Sequence, residues 1–110
     1  MTPNKYQKLA ARTIPDTRDP KSCELHALYG MVSEVGELHG IYQKSFQGHE
    51  IDPDHVIREV GDILWFIAEY CTSLGWKLED VMQINVDKLL ARYPNGFEET
   101  RSLHRSAEDI

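Results

Sequence analysis

The chain has 110 residues, 41% of them hydrophobic and 27% charged, with a formal net charge of −6. That length fits one domain with a single core. The charge argues against broad binding to nucleic acid or anionic lipid, although a bound cation can reverse the sign of a local site. The N-terminal MTPNKYQKLA lacks a secretory signal's apolar core, and ILWFIA at 63–68 is too short to span a bilayer. Cys23 and Cys71 stand apart without metal-ligand spacing. The chain therefore reads as soluble and cytoplasmic.

No strand alternation is visible, and four helical segments are predicted. The first runs from about Pro3 to Thr13, with Thr2 as N-cap and Tyr6, Leu9, Ala10 and Ile14 at helical spacing. Pro15 and Pro20 bound a polar loop. The second segment runs from Ser22 or Cys23 to about Ser45, with Leu25, Leu28, Val32, Val35, Leu38 and Tyr42 as its apolar stripe. Asp52-Pro53 opens the third, which ends near Gly75. Its apolar arc is broad enough to need several neighbours, one of them from a second subunit. The fourth runs from about Leu78 to Arg92 and stops at YPNG. Residues 1–97 form the predicted domain, and 98–110 a polar, partly mobile tail. The expected fold is all-α and four-helix bundle-like.

Two acidic pairs stand out: EVGE at 34–37 and EVGD at 59–62. Residues three apart on a helix differ by about 60° around its axis, so each pair shares a face. A short loop makes the second and third segments antiparallel, which sets Glu34 and Glu37 opposite Glu59 and Asp62. The match extends to MVSEVGELHGI over VIREVGDILWF at an offset of 25 residues. Gly36 and Gly61 each cost a helix about 1 kcal/mol relative to alanine, and are expected to admit a neighbouring backbone. A single ExxE is usually a solvated face. Two facing pairs repel unless a hard cation neutralises them, and Mg²⁺, with Mn²⁺ as a substitute, suits an all-oxygen set.

The ExxE…ExxD pattern, with 21 residues between its halves, resembles the MazG-type all-α nucleoside triphosphate pyrophosphohydrolases. Similarity extends through KYQKLAART, GDILWFIAEYCTSLGWKLEDV and NVDKLLARYPNGF, covering about residues 4–97. The resemblance implies Mg²⁺-dependent hydrolysis of (deoxy)nucleoside triphosphates to the monophosphate and pyrophosphate, by water attack at the α-phosphorus. It assigns metal binding and catalysis to Glu34, Glu37, Glu59 and Asp62. On the fourth helix it makes Asn85, Lys88 and Arg92 candidates for sugar and phosphate contacts, set against an ordinary solvated face. Self-assembly as a homodimer or homotetramer completes the expectation.

Lys44, two turns after Glu37, is a further candidate for a phosphate oxygen, and equally an ordinary lysine near a helix end. Tyr6, Gln7, Trp65 and Trp76 are candidates for a base, though large aromatics are more often core. His26, His39, His49 and His55 do not repeat at metal-ligand spacing and read as surface or hydrogen-bonded histidines. Three other readings compete: the same chemistry on phosphoribosyl-ATP, a di-iron bundle, and a non-enzymatic oligomerisation or adaptor module. The di-iron design wants Glu-x-x-His pairs, which this chain lacks.

Overall fold

A computed structural model describes residues 1–110. It is all-helical: α1 (Pro3–Ala11), α2 (Pro20–Ser45), α3 (Pro53–Ser73), α4 (Leu78–Arg92) and α5 (Glu99–Leu103). No helix is long and apolar enough to cross a membrane.

The first three helices start alike, with a capping residue followed by proline. Thr2 Oγ1 accepts from Lys5 N at 3.1 Å, Asp19 Oδ1 from Ser22 N at 2.8 Å, and Asp52 Oδ1 from Asp54 N at 3.0 Å. Each cap satisfies an amide that the first turn leaves open, and the proline places its missing N–H where none is needed. After α3 the chain turns through Gly75 at φ +72°, a left-handed conformation that favours glycine.

The chain divides into two compact units, Met1–Lys77 with α1 to α3, and Leu78–Ile110 with α4 and α5. In the first, α2 packs along α3 and α1 packs on α3. Among the less exposed positions of α2, Cys23, Ala27, Gly30, Glu34, Leu38, Ile41 and Ser45 recur in steps of three and four. On α3 the matching series is Val56, Glu59, Ile63, Phe66 and Tyr70. These two rows form the helix–helix seam.

Two expectations are corrected here. Apart from Leu38, the apolar stripe predicted for α2 lies off the seam: Val32 is 73% exposed and Leu28 46%. In the first half of α2 the seam is built from the small residues Cys23, Ala27 and Gly30, because small side chains let the axes approach. Gly36 and Gly61 are also not packed against a backbone, since a Cβ at either would meet nothing within 4 Å. The close approach is at Gly30, where a Cβ would collide with the Phe66 ring.

The most deeply buried polar residue is Glu69 on α3. Its Oε2 accepts from Arg18 Nη1 at 2.8 Å, and its Oε1 lies 2.6 Å from His26 Nδ1. Arg18 comes from the α1–α2 connector and His26 from α2, so one carboxylate ties three segments together. Trp65 Nε1 adds a bond to Thr13 Oγ1 at 2.9 Å.

In the second unit α4 ends at Arg92, and Gly96 turns the chain at φ +91°. The polar tail predicted for residues 98–110 contains a short helix, α5, and then returns to α4. There Asp109 pairs with Arg92.

Candidate metal centre and phosphate contacts

Glu34 and Glu59 occupy seam positions that apolar residues fill elsewhere on the same helices. One turn further along α3, Asp62 lies on the exposed edge. One carboxylate oxygen from each of the three lies within 4.8 Å of the others. The i, i+3 spacing on α3 and the antiparallel α2–α3 packing bring these acids together.

Three converging carboxylates in a partly buried seam carry an electrostatic cost. Burial pushes the Glu34 carboxyl above the usual carboxylate range, a hydrogen bond with Glu59 raises it further, and the negative charges of Asp62, Glu59 and Glu37 add to that. Burial is also the larger cause of the raised Tyr6 phenol, with the negative charge of Asp62 adding to it. Tyr6 thereby brings α1 to the edge of the site.

Glu59 carries the clearest signal. Its side chain is 13% exposed, and His55 Nε2 stands 3.4 Å from Oε1, a long contact. Its Oε2 is buried and has no hydrogen-bond partner. Buried carboxylate oxygens are normally paired or metal-bound, because desolvation without compensation is costly. A hard divalent cation fits the chemistry of this donor set, because the ligands are all oxygen.

Glu37 is outside the three-acid cluster. It lines a cavity of about 310 Å³ at the α2–α3 turn, together with Gly40, Lys44, His49 and His55. Glu37 and Lys44, two turns apart, thus share one cavity, and His55 connects its wall to Glu59. The His55–Glu59 contact was readable in the sequence as an i, i+4 pair.

The α4 residues belong to the second unit. Asn85 is exposed. Lys88 and Arg92 line a groove of about 460 Å³ with residues of the tail. Among the base candidates, Gln7 is engaged internally, its amide donating to the Trp76 carbonyl at 2.8 Å and to Thr72 Oγ1 at 3.2 Å.

A family profile described as the MazG nucleotide pyrophosphohydrolase domain matches residues 24–97, a span that contains all four acids and extends to the YPNG turn. The chain belongs to the MazG family. It is also 29% identical, over 100 residues, to the Gene 37 protein of Mycobacterium phage L5; the match covers 83% of this chain and 88% of the phage protein. No solved structure matches it significantly. MazG membership goes with nucleotide pyrophosphohydrolase activity, in a chain whose three converging acids suit a divalent metal.

Proposed function

We propose that this MazG-family chain hydrolyses (deoxy)nucleoside triphosphates to the monophosphate and pyrophosphate in a Mg²⁺-dependent reaction. The observation that carries the reading is the buried, unpartnered Glu59 Oε2 beside Glu34 and Asp62. In this proposal Glu34, Glu59 and Asp62 hold the cation, and Glu37 approaches it from the neighbouring cavity. When bound there, Mg²⁺ would shield phosphate charge and lower the pKa of a coordinated water. A glutamate of the quartet accepts the proton of the water that attacks the α-phosphorus. Lys44 offers an ammonium to the phosphate chain, and Asn85, Lys88 and Arg92 contact sugar and phosphate.

Self-association is part of the same proposal. The outer faces of α2 and α3 expose Leu28, Val32, Val35, Ile57, Val60 and Leu64. So many half-exposed aliphatic side chains on two helices are more than a monomer usually leaves in water. Contact with a second copy would cover them. Cys23 and Cys71 are free and buried, which fits a reducing, cytoplasmic setting.

The test is a panel of ribo- and deoxynucleoside triphosphates with Mg²⁺, with the products separated. Monophosphate plus pyrophosphate is expected, and no turnover after chelation. A diphosphate plus orthophosphate would overturn the proposed bond cleavage. Light scattering reads the assembly, and a strict monomer would remove the self-association part.

A further inference from the structure

The groove in the second unit is lined by more cationic than acidic side chains. Its walls include four permanent cations, Lys88, Arg92, Arg101 and Arg105, against two carboxylates, Glu108 and Asp109. One carboxylate is deployed in a specific way. Asp109 meets the guanidinium of Arg92 with two oxygens, Oδ2 at 2.9 Å from Nε and Oδ1 at 2.7 Å from Nη2. This side-on fork is the geometry by which arginine also binds a phosphate group. Both partners are largely sheltered, at 12% and 20% exposure. The charges of Arg92, Arg105 and Lys88 all act on Asp109, and its hydrogen bonds to Arg92 are the largest cause of its lowered pKa.

The tail that delivers Asp109 has few other attachments. Between Glu98 and Ile110 only Ser102 and Asp109 are half-buried, and the other residues are exposed. The five-residue α5 has no side-chain hydrogen bond at its N-cap. Glu98 reaches Arg101 at only 3.5 Å, on the surface. A segment held chiefly by one ion pair is released at low cost. A single carboxylate also neutralises only part of the charge in the groove, whereas a phosphate chain brings several negative charges and more acceptor oxygens.

We infer that this groove is a phosphate-binding site whose resting occupant is the chain's own Asp109, displaced with its tail when a polyphosphate enters. The ligand chemistry is that of a diphosphate or longer chain. Its source as the nucleotide substrate rests on the proposed hydrolase reading, while the site itself does not.

Calorimetric titration with inorganic pyrophosphate, in chelator and at low salt, tests the site without turnover. Asp109→Asn is expected to bind about tenfold more tightly than the unmodified chain, because the competing carboxylate is gone. Arg105→Gln should bind several-fold more weakly. Glu99→Gln makes the same charge change outside the groove and should leave affinity unchanged. Equal affinities for the unmodified chain and Asp109→Asn, or an equal gain from Glu99→Gln, would overturn the assignment. Saturating pyrophosphate should also speed amide exchange in residues 98–110, and unchanged protection there would overturn the displacement.

Turnover separates the two sources of phosphate. A KM for nucleoside triphosphate that falls in Asp109→Asn along with the pyrophosphate Kd assigns the groove to substrate. An unchanged KM, with pyrophosphate still bound more tightly, assigns it to a free phosphate effector. A chain that hydrolyses no nucleotide yet retains the Asp109→Asn gain would remove the hydrolase reading and leave the site standing.

Discussion

Helix α3 carries two sheltered glutamates ten residues apart, and the chain treats them in opposite ways. Glu69 is closed off from solvent and fully answered: Arg18 takes one oxygen and His26 the other. Glu59 is nearly as sheltered, yet it has one long contact to His55, a hydrogen bond shared with another acid, Glu34, a buried oxygen with no partner, and two further carboxylates for neighbours. Burial alone therefore does not distinguish a structural acid from a functional one. What differs is whether the chain supplies the positive charge. At Glu69 the fold supplies it and gains a three-way tie between the connector, α2 and α3. At Glu59 the fold withholds it, which is what the proposed cation site requires.

The sharpest way to break this comparison is to neutralise each acid in turn. Glu59→Gln is expected to lower kcat by about 10²–10⁴-fold in the nucleotide assay, the range associated with losing a positioned acid–base or metal-binding carboxylate. Its fold should remain intact and its Tm should not fall, because removing one charge from the cluster relieves repulsion. A fully active Glu59→Gln variant would sink the site assignment. Glu69→Gln should behave in the reverse manner. It keeps the three-acid cluster but leaves Arg18 and His26 without their shared carboxylate. Because Arg18 is a quarter exposed and His26 more so, both recover some hydration, and the expected loss is about 2 kcal/mol, short of that for a wholly enclosed pair. Chemical denaturation measures that loss, while Mg²⁺ affinity per folded molecule should be unchanged.

A smaller effect separates the two acids by pH. The folded-state pKa of Glu34 is raised, chiefly by burial and then by its acidic neighbours, so the folded chain binds the proton more tightly than the unfolded chain. That contribution is fully present below the unfolded carboxyl pKa and is lost as pH rises through the raised value. In chelator, stability should therefore decline across that interval. Added Mg²⁺ should flatten the decline and raise Tm, since a ligand that binds only the folded state at a hundred times its Kd adds about 2.7 kcal/mol. The Mg²⁺-dependent part should vanish in Glu59→Gln and persist in Glu69→Gln. A decline that Mg²⁺ leaves untouched would detach the raised Glu34 from metal binding.

Much of this was legible in the residues. Two helix starts were readable because cap and proline stand side by side at Thr2-Pro3 and Asp52-Pro53; the same pair at Asp19-Pro20 falls in the segment expected to be loop, and α2 begins two or three residues earlier than expected. The acids were readable because i, i+3 spacing on two antiparallel helices leaves little freedom in where they point. The seam was not. Hydrophobicity picks out Leu28 and Val32, whereas packing selects Cys23, Ala27 and Gly30, whose small size permits close contact but leaves no apolar stripe to see. Nor were the partners that depend on distant chain segments: Arg18 with Glu69 across 51 residues, Tyr6 beside Asp62, and Arg92 with Asp109. Local spacing carries no trace of such pairs, because tertiary packing makes them. The split of labour among the four acids was equally hidden, since only the seam reveals that Glu34 and Glu59 point inward while Glu37 faces a neighbouring cavity.

The glycines offer the mildest test of the same distinction between what the chain satisfies internally and what it leaves open. Gly30 is filled by the Phe66 ring, so Gly30→Ala must push an aromatic side chain that already packs against His26 and Trp65. Gly36, six residues further along α2, has nothing near it, and its cost to the helix has no return within the chain. Gly36→Ala should therefore stabilise the isolated chain by about 0.5–1 kcal/mol through helix propensity alone, with Gly30→Ala changing stability in the opposite direction. Denaturant midpoints at low protein concentration read both. If Gly36→Ala destabilises instead, and increasingly so as concentration rises, the open face at Gly36 is one that a second copy approaches closely. The glycine would then answer to the assembly, much as Glu59 answers to a cation in the proposed site.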